Sequence, residues 1–313
     1  MPSAPWGKVV VAHPERRAQR ALRRMLGLAS CPVEVVGDVD SLRAAVDADT
    51  IAVVDMSLAA ADAGLGLAPA RAWIAVPGEG LAPAASPLVE DLLRQGWAHV
   101  VAHPMPILAE ELVTTVHKLV RRDVFGLEKY LGWGAEIRSV ALADAGERAD
   151  AVAAIAADVL AGGLPERIAS LVSVIADELL ANALYVAPID DARRRFRVGE
   201  ARERRRPLRG RDVVTLRWAT DARCLAIEVR DRWGTLDPHV VAAALAAGPS
   251  RAGATDAAMG LPLAYACANQ LVIDLEPDVM TEVIALLDMR YRPTELARAA
   301  SFHAFLSPVP DCS

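Results

Sequence analysis

Residues 225–237, LAIEVRDRWGTLD, decide the reading of the second half of the chain. Leu225, Ile227 and Val229 alternate, which predicts a strand with one buried face, and Asp231 continues that inward face. A carboxylate ending an apolar face must find hydrogen-bond donors, because burying it unpaired is costly. An adenine amino group is one such donor. The first turn of the following loop is another, with Asp231 acting only as a cap. Gly234 follows, where a backbone without a Cβ can approach a ring closely.

Working outward, Val213–Trp218 and Cys224–Val229 predict a hairpin around Ala219–Arg223, with a strand at Ile137–Leu142 before it. Arg148–Ala161 has helical spacing and is stopped by Gly162 and Gly163. Pro165–Val186 predicts a long helix: Ile168, Leu171, Val172, Ile175 and Leu179 recur at three and four residues. Its end, ADELLANALY (176–185), places Glu178 and Asn182 one turn apart on a shared face beside the apolar stripe. A carboxylate and a carboxamide there can hold Mg²⁺ and a water, or form an ordinary solvated face. Asp237–Ala247 and Leu261–Gln270 predict helices, and Leu271–Leu275 with Glu282–Met289 a second hairpin. In AAMGLPLAYACANQL (257–271), Gly260 precedes a helix whose apolar face starts at Leu261 and Leu263. That junction exposes backbone N–H groups to a phosphate, or is a plain turn into a helix. Helices, hairpin, helices, hairpin is an α+β order, with helices on one face of a largely antiparallel sheet.

Glu-x-x-x-Asn on a helix, a hairpin ending in Asp, a loop, then Gly-Leu-x-Leu opening a helix: in this order residues 135–292 resemble the ATP-binding domain of the GHKL superfamily (gyrase, Hsp90, histidine kinase, MutL). The branch they resemble is that of anti-sigma factors and histidine kinases. The resemblance implies a two-layer α+β sandwich of Bergerat type, binding ATP and Mg²⁺. It implies that Asn182 coordinates Mg²⁺ and that Glu178 is catalytic, positioning or activating a water or hydroxyl. Asp231 binds the adenine amino group, with Gly234 and Thr281 near the base. Gly260 lies under the phosphates, with Leu261 among the cofactor contacts. Residues 236–258 form the lid. Trp233 stands where the family has the first glycine of Asp-x-Gly-x-Gly, Gly253 stands alone before Met259, and Pro262 sits inside Gly-Leu-x-Leu, where a helix tolerates it only in its first turn.

Residues 1–122 read as a different domain. Lys8–Ala12, Val33–Val36, Ile51–Val54, Trp73–Val76 and His99–Ala102 are strand-like. Arg16–Leu28, Ser41–Val46 (with Ser41 as its cap) and Pro106–Arg122 are helical, and Ala59–Arg71 is a loop holding at most a poor helix. This βα repeat predicts a doubly wound α/β fold with a parallel sheet. It resembles a response-regulator receiver with an eroded site. Asp55 stands at the phosphoacceptor place, His13-Pro14 replaces the acidic pair, Val76 or Pro77 falls at the switch hydroxyl, and His103 replaces the lysine. Phosphoryl transfer needs metal to neutralise charge, so a pseudo-receiver that docks partners is expected.

Residues 123–134, DVFGLEKYLGWG, form a connector that mixes glycine with aromatics and is expected to be docked; signal transmission between domains is the alternative. Residues 293–313 form a tail, docked through Phe302 and Phe305. The chain has 313 residues, a net charge of −6 and 53% hydrophobic residues, with no apolar run of the ~18 residues a membrane helix needs. A cytoplasmic protein without membrane partners is expected. The charge argues against nucleic acid, and Arg193–Arg211 reads as solvated loop with glutamates between. Cys31, Cys224, Cys267 and Cys312 have neither metal nor redox spacing. The composite expectation is an ATP-binding signalling regulator, acting as a protein kinase or an anti-sigma-like partner-switching factor on a regulatory protein partner, with room for a homodimer. The alternative is a scaffold that kept both folds and neither chemistry.

Overall fold

The computed structural model describes residues 7–29, 31–62, 64, 65, 69–201, 205–248, 260–290 and 299–307. The chain divides into two compact α/β units, one running to Val124 and rejoined by the stretch up to His303, the other running from Phe125 and taking in the residues from Ala304.

In the first unit, β1 (Val9–Ala12), β2 (Val33–Val36), β3 (Ile51–Asp55), β4 (Ala72–Val76) and β5 (His99–Val100) pair in parallel in the order β2-β1-β3-β4-β5. That order is doubly wound. Val9, Val11, Ile51, Val53, Ile74 and Val76 share one core with α1 (Arg16–Leu26) and α5 (Ile107–Arg121). Their neighbours Val10, Ala52 and Ala75 are equally inaccessible, so the sheet is buried on both faces and its strands read as unbroken apolar runs. α2 (Val39–Ala45) begins earlier than Ser41. Asp38 is its cap, accepting from Ser41 N at 2.8 Å, because the aspartate stands three residues ahead of the N–H it satisfies. α3 (Met56–Ala61) and α4 (Ser86–Arg94) pack together. The tail contributes an unforeseen strand, β11 (Ser301–Leu306), whose Phe302 and His303 pair antiparallel with Val100 and His99.

In the second unit, β6 (Arg138–Leu142), β7 (Val214–Thr220), β8 (Cys224–Asp231), β9 (Gln270–Glu276) and β10 (Met280–Asp288) form an antiparallel array in the order β9-β10-β8-β7-β6. Trp218 on β7 lies opposite Ile227 and donates its indole N–H to Asp158 of α6 (Arg148–Ala161) at 2.8 Å. This places the Leu225, Ile227, Val229 and Asp231 face of β8 under the helices. α7 (Glu166–Ala181) packs on α6, β8 and α9 (Leu261–Cys267). It passes into a single π turn over Asn182–Val186, which shortens the expected regular helix. Against the expectation of no such run, Glu166–Val186 is by length and composition apolar enough to cross a membrane; 61% of its apolar window is buried, as in a core helix. α9 ends earlier than expected and β9 takes up Gln270. α8 (Pro238–Ala247) is capped by Asp237, while residues 249–258 of the expected lid, Gly253 among them, together with Met259 and Cys312, lie outside the described residues.

The opposite face of the second sheet holds the connector. Glu282 Oε1 accepts from Gly126 N at 2.8 Å and Glu228 Oε2 from Leu127 N at 3.1 Å. Arg217 and Arg230 counter the two carboxylates, with Arg217 Nη1 2.9 Å from Glu228 and Arg230 Nε 3.1 Å from Glu282. The connector is docked as expected, but through its backbone; Trp133 stands fully exposed.

Candidate functional site

Asp231 ends β8 and is 3% exposed. Its Oδ1 accepts from Trp233 N at 2.8 Å, which closes the turn out of the strand. Burial pushes its carboxyl up to about 7, against the opposing backbone N–H groups of Trp233 and Gly234. Such a carboxyl is short of donors: the turn supplies some, and desolvation still wins. Thr281 lies directly across on β10. Its buried hydroxyl is turned to Asp231 and favours the ionised carboxylate, whereas Asn182 Oδ1, at the start of the π turn, is buried with no hydrogen-bond partner among the described residues. Thr235 Oγ1 donates to Ala187 O at 2.6 Å, which ties the loop after β8 to the end of that turn.

Gly234 has φ +60, and a Cβ there would lie 2.6 Å from Val279 N and 2.7 Å from Asp278 N. Its need for glycine is met by the β9–β10 turn, whose Asp278 N donates to Gly234 O at 3.0 Å. Trp233 is buried beneath Arg211, whose guanidinium carbon lies 4.7 Å from the ring centroid. Arg211 also donates to Asp278 O at 2.8 Å, so this arginine fastens the two turns that flank Asp231.

At the other end of the site, Gly260 has φ +90 and precedes the buried Leu261. A Cβ on Gly260 would collide with Glu178 Oε2, so the side chain from α7 fills the space over the glycine. The structure thus groups Asp231 with Thr281 and Gly234, and Glu178 with Gly260 and Leu261. Asn182 lies one helical turn beyond Glu178. A carboxylate over Gly260 opposes an incoming phosphate by like-charge repulsion. The acceptor-rich, donor-poor end at Asp231 suits an amine-bearing ring.

Most described residues of the arginine segment are exposed, as expected, but several of its arginines are tied in place. Arg197, 7% exposed, makes a bidentate pair with Asp212 at 2.9 and 3.0 Å. Arg195 donates to Val186 O, and Arg206 pairs with Glu200. The guanidinium groups knit the segment to the π turn, where the backbone carbonyls left by the changed helical register need donors.

In the first unit, Asp55 caps α3. Its Oδ1 accepts from Ser57 N at 2.9 Å, from Leu58 N at 3.2 Å and from the Ser57 hydroxyl. His13 Nδ1 accepts from Glu15 N at 3.1 Å, so the neutral ring carries its proton on Nε2, which faces Asp55 Oδ2 at 3.3 Å without hydrogen-bond alignment. His13 occupies the side of Asp55 where the receiver resemblance would have its acidic pair. His103, at the expected lysine place, is bound instead to Glu111 at 2.9 Å. That buried network, which also includes His99 and His303, went unnoticed in the sequence. Its one local signal is polar residues at Glu111, Thr115 and Lys118 on a buried helix face.

Compared with known protein families and with curated proteins, the chain matches none.

Proposed function

We propose that the second unit binds an adenine nucleotide with Mg²⁺ in a GHKL-like manner, and that the chain is a cytoplasmic signalling regulator whose receiver-like first unit serves docking. The observation that carries this reading is a pair of under-satisfied acceptors: the Asp231 carboxyl, still raised despite its donors, and Asn182 Oδ1. An exocyclic amine placed at Asp231 supplies the missing donor and favours the ionised carboxylate. Asn182 Oδ1 is the protein oxygen available to Mg²⁺, with phosphate and water completing the shell. Bound Mg-ATP would supply a transferable phosphoryl group, and Glu178 is the carboxylate nearest that end of the site. Opening that end requires Glu178 to leave Gly260. Isothermal titration of Mg-ATP into wild type, Asp231→Asn and Asn182→Ala tests the proposal. Binding in the wild type that both substitutions weaken is expected. No heat in the wild type, or unchanged binding in both variants, overturns it.

A second reading, a scaffold with no nucleotide, is favoured by one observation: the Glu178 carboxylate fills the space over Gly260. On that reading Glu178→Gln also fails to bind Mg-ATP. On the first, Glu178→Gln binds more tightly than wild type, because a repulsive charge is gone.

A further inference from the structure

Outside that site, three histidines and one glutamate converge in the first unit. Glu111 on α5 is 5% exposed, and its Oε2 and Oε1 lie 2.9 Å from His103 Nδ1 and 2.8 Å from His303 Nε2. A carboxylate only accepts, so both imidazoles donate to it. Burial pushes Glu111 up, and its two histidine partners overcome this, drawing it down to about 2. The acceptor is therefore ionised across all physiological pH. His303, with Nε2–H committed to Glu111, turns its Nδ1 to His99 Nδ1 at 3.4 Å. Two nitrogens facing each other in this way accommodate one proton. A second places N–H against N–H and adds a positive charge to the pair.

We propose that the His99–His303 contact is an acid-sensitive latch that holds the Ser301–His303 stretch of β11 on β5 while the pair carries one shared proton and releases it when a second arrives. The contacts of that stretch with β5 and α5 run through this cluster. His303 and Phe302 pair with His99 and Val100, Ser301 Oγ accepts from Ala102 N at 2.8 Å, and the same hydroxyl lies 3.0 Å from His103 Nδ1. The titratable and polar groups around the pair are His103, just after β5; Glu111 and Lys118 from α5; and Ser301 from β11. β4 contributes Ile74 opposite His99 and no ionisable side chain. One carboxylate thus serves a buried cluster that holds three imidazoles and has Lys118 beside His99. His99 already resists protonation, through burial first and then the charges of His303 and Lys118. A histidine whose folded-state pKa lies below its unfolded value stabilises the fold above the ordinary value of ~6.5, and that contribution is lost as pH falls below it.

Hydrogen exchange of the full chain, corrected for intrinsic rates, reads the latch at pH 7.5 and pH 5.0. Amides of 301–303 are expected to lose protection by about ten-fold or more on acidification, the equivalent of one pKa unit, while β3 keeps its protection. His99→Phe, which cannot take the second proton, is expected to keep 301–303 protected at pH 5.0. Unchanged wild-type protection at pH 5.0, or its loss in His99→Phe as in wild type, overturns the proposal. Should His99→Phe not fold, imidazole ¹⁵N spectra of the wild type decide. A neutral His99 at pH 7.5 that charges together with the loss of protection is expected, and a charged His99 at pH 7.5 overturns it.

Discussion

Replacing Asp231 by asparagine should stabilise the protein at alkaline pH while removing nucleotide binding. The folded-state pKa of about 7 lies above the ordinary aspartate value of 3.8. The charged form is therefore disfavoured by folding. This penalty is absent below the unfolded value, grows as pH rises, and is complete above the folded value. About three pKa units at 1.36 kcal/mol each give roughly 4 kcal/mol as the upper bound. Asparagine keeps an oxygen for Trp233 N but buries an amide NH₂, which costs about 1–3 kcal/mol unless it is bonded. Thr281 opposite offers an acceptor. The expected net gain is about 1–3 kcal/mol at pH 8, or a Tm rise of roughly 2–10 °C for a unit of this size. Thermal melts followed by circular dichroism at pH 8 and pH 4 check it. The gain should be present at pH 8 and nearly gone at pH 4, where the folded-state aspartate is protonated and the unfolded one is only partly ionised. A variant destabilised equally at the two pH values would refute the reasoning, because Asp231 would then be an ordinary capping carboxylate.

Other expectations follow from single contacts. Gly126→Ala forces a Cβ at φ +120, against the Glu128 carboxylate; it should cost more than about 1 kcal/mol and lower Tm. Arg197→Ala breaks the bidentate pair with the half-buried Asp212 and should cost about 1–3 kcal/mol; Arg197→Lys, lacking the fork, should recover little of it in urea unfolding. Asp55→Ala should cost about 1–2 kcal/mol as the loss of a helix cap. Asp55→Asn should be close to wild type in the same urea series, and wild type should take no label at Asp55 from acetyl phosphate and Mg²⁺ in mass spectrometry.

The first unit was readable because its strands are short unbroken apolar runs such as Val9–Ala12, which only a sheet covered on both sides produces. β11 was not, since SFHAFL lacks regular alternation and its partner lies about two hundred residues earlier; nothing local to Phe302 announces His99. Asp231 and Thr281 were legible through period-two alternation, which carries a strand's inward face to its last residue. The crowding that demands Gly234 was not, because it comes from the β9–β10 turn. Glu178 lying over Gly260 was equally hidden: helical spacing fixes a side chain's face but not what crosses above it. The arginine run is mostly exposed as read, but the pairings of Arg197, Arg206 and Arg195 with Asp212, Glu200 and the carbonyl of Val186 depend on loop geometry that no periodicity encodes.

The most direct test of the nucleotide proposal is the titration of the Asp231 side-chain carboxyl ¹³C resonance, with and without saturating Mg-ATP. The account predicts an inflection near 7 in the free protein that moves to lower pH when the nucleotide's amine donates to the carboxylate. An inflection that stays in place at saturating nucleotide would contradict it.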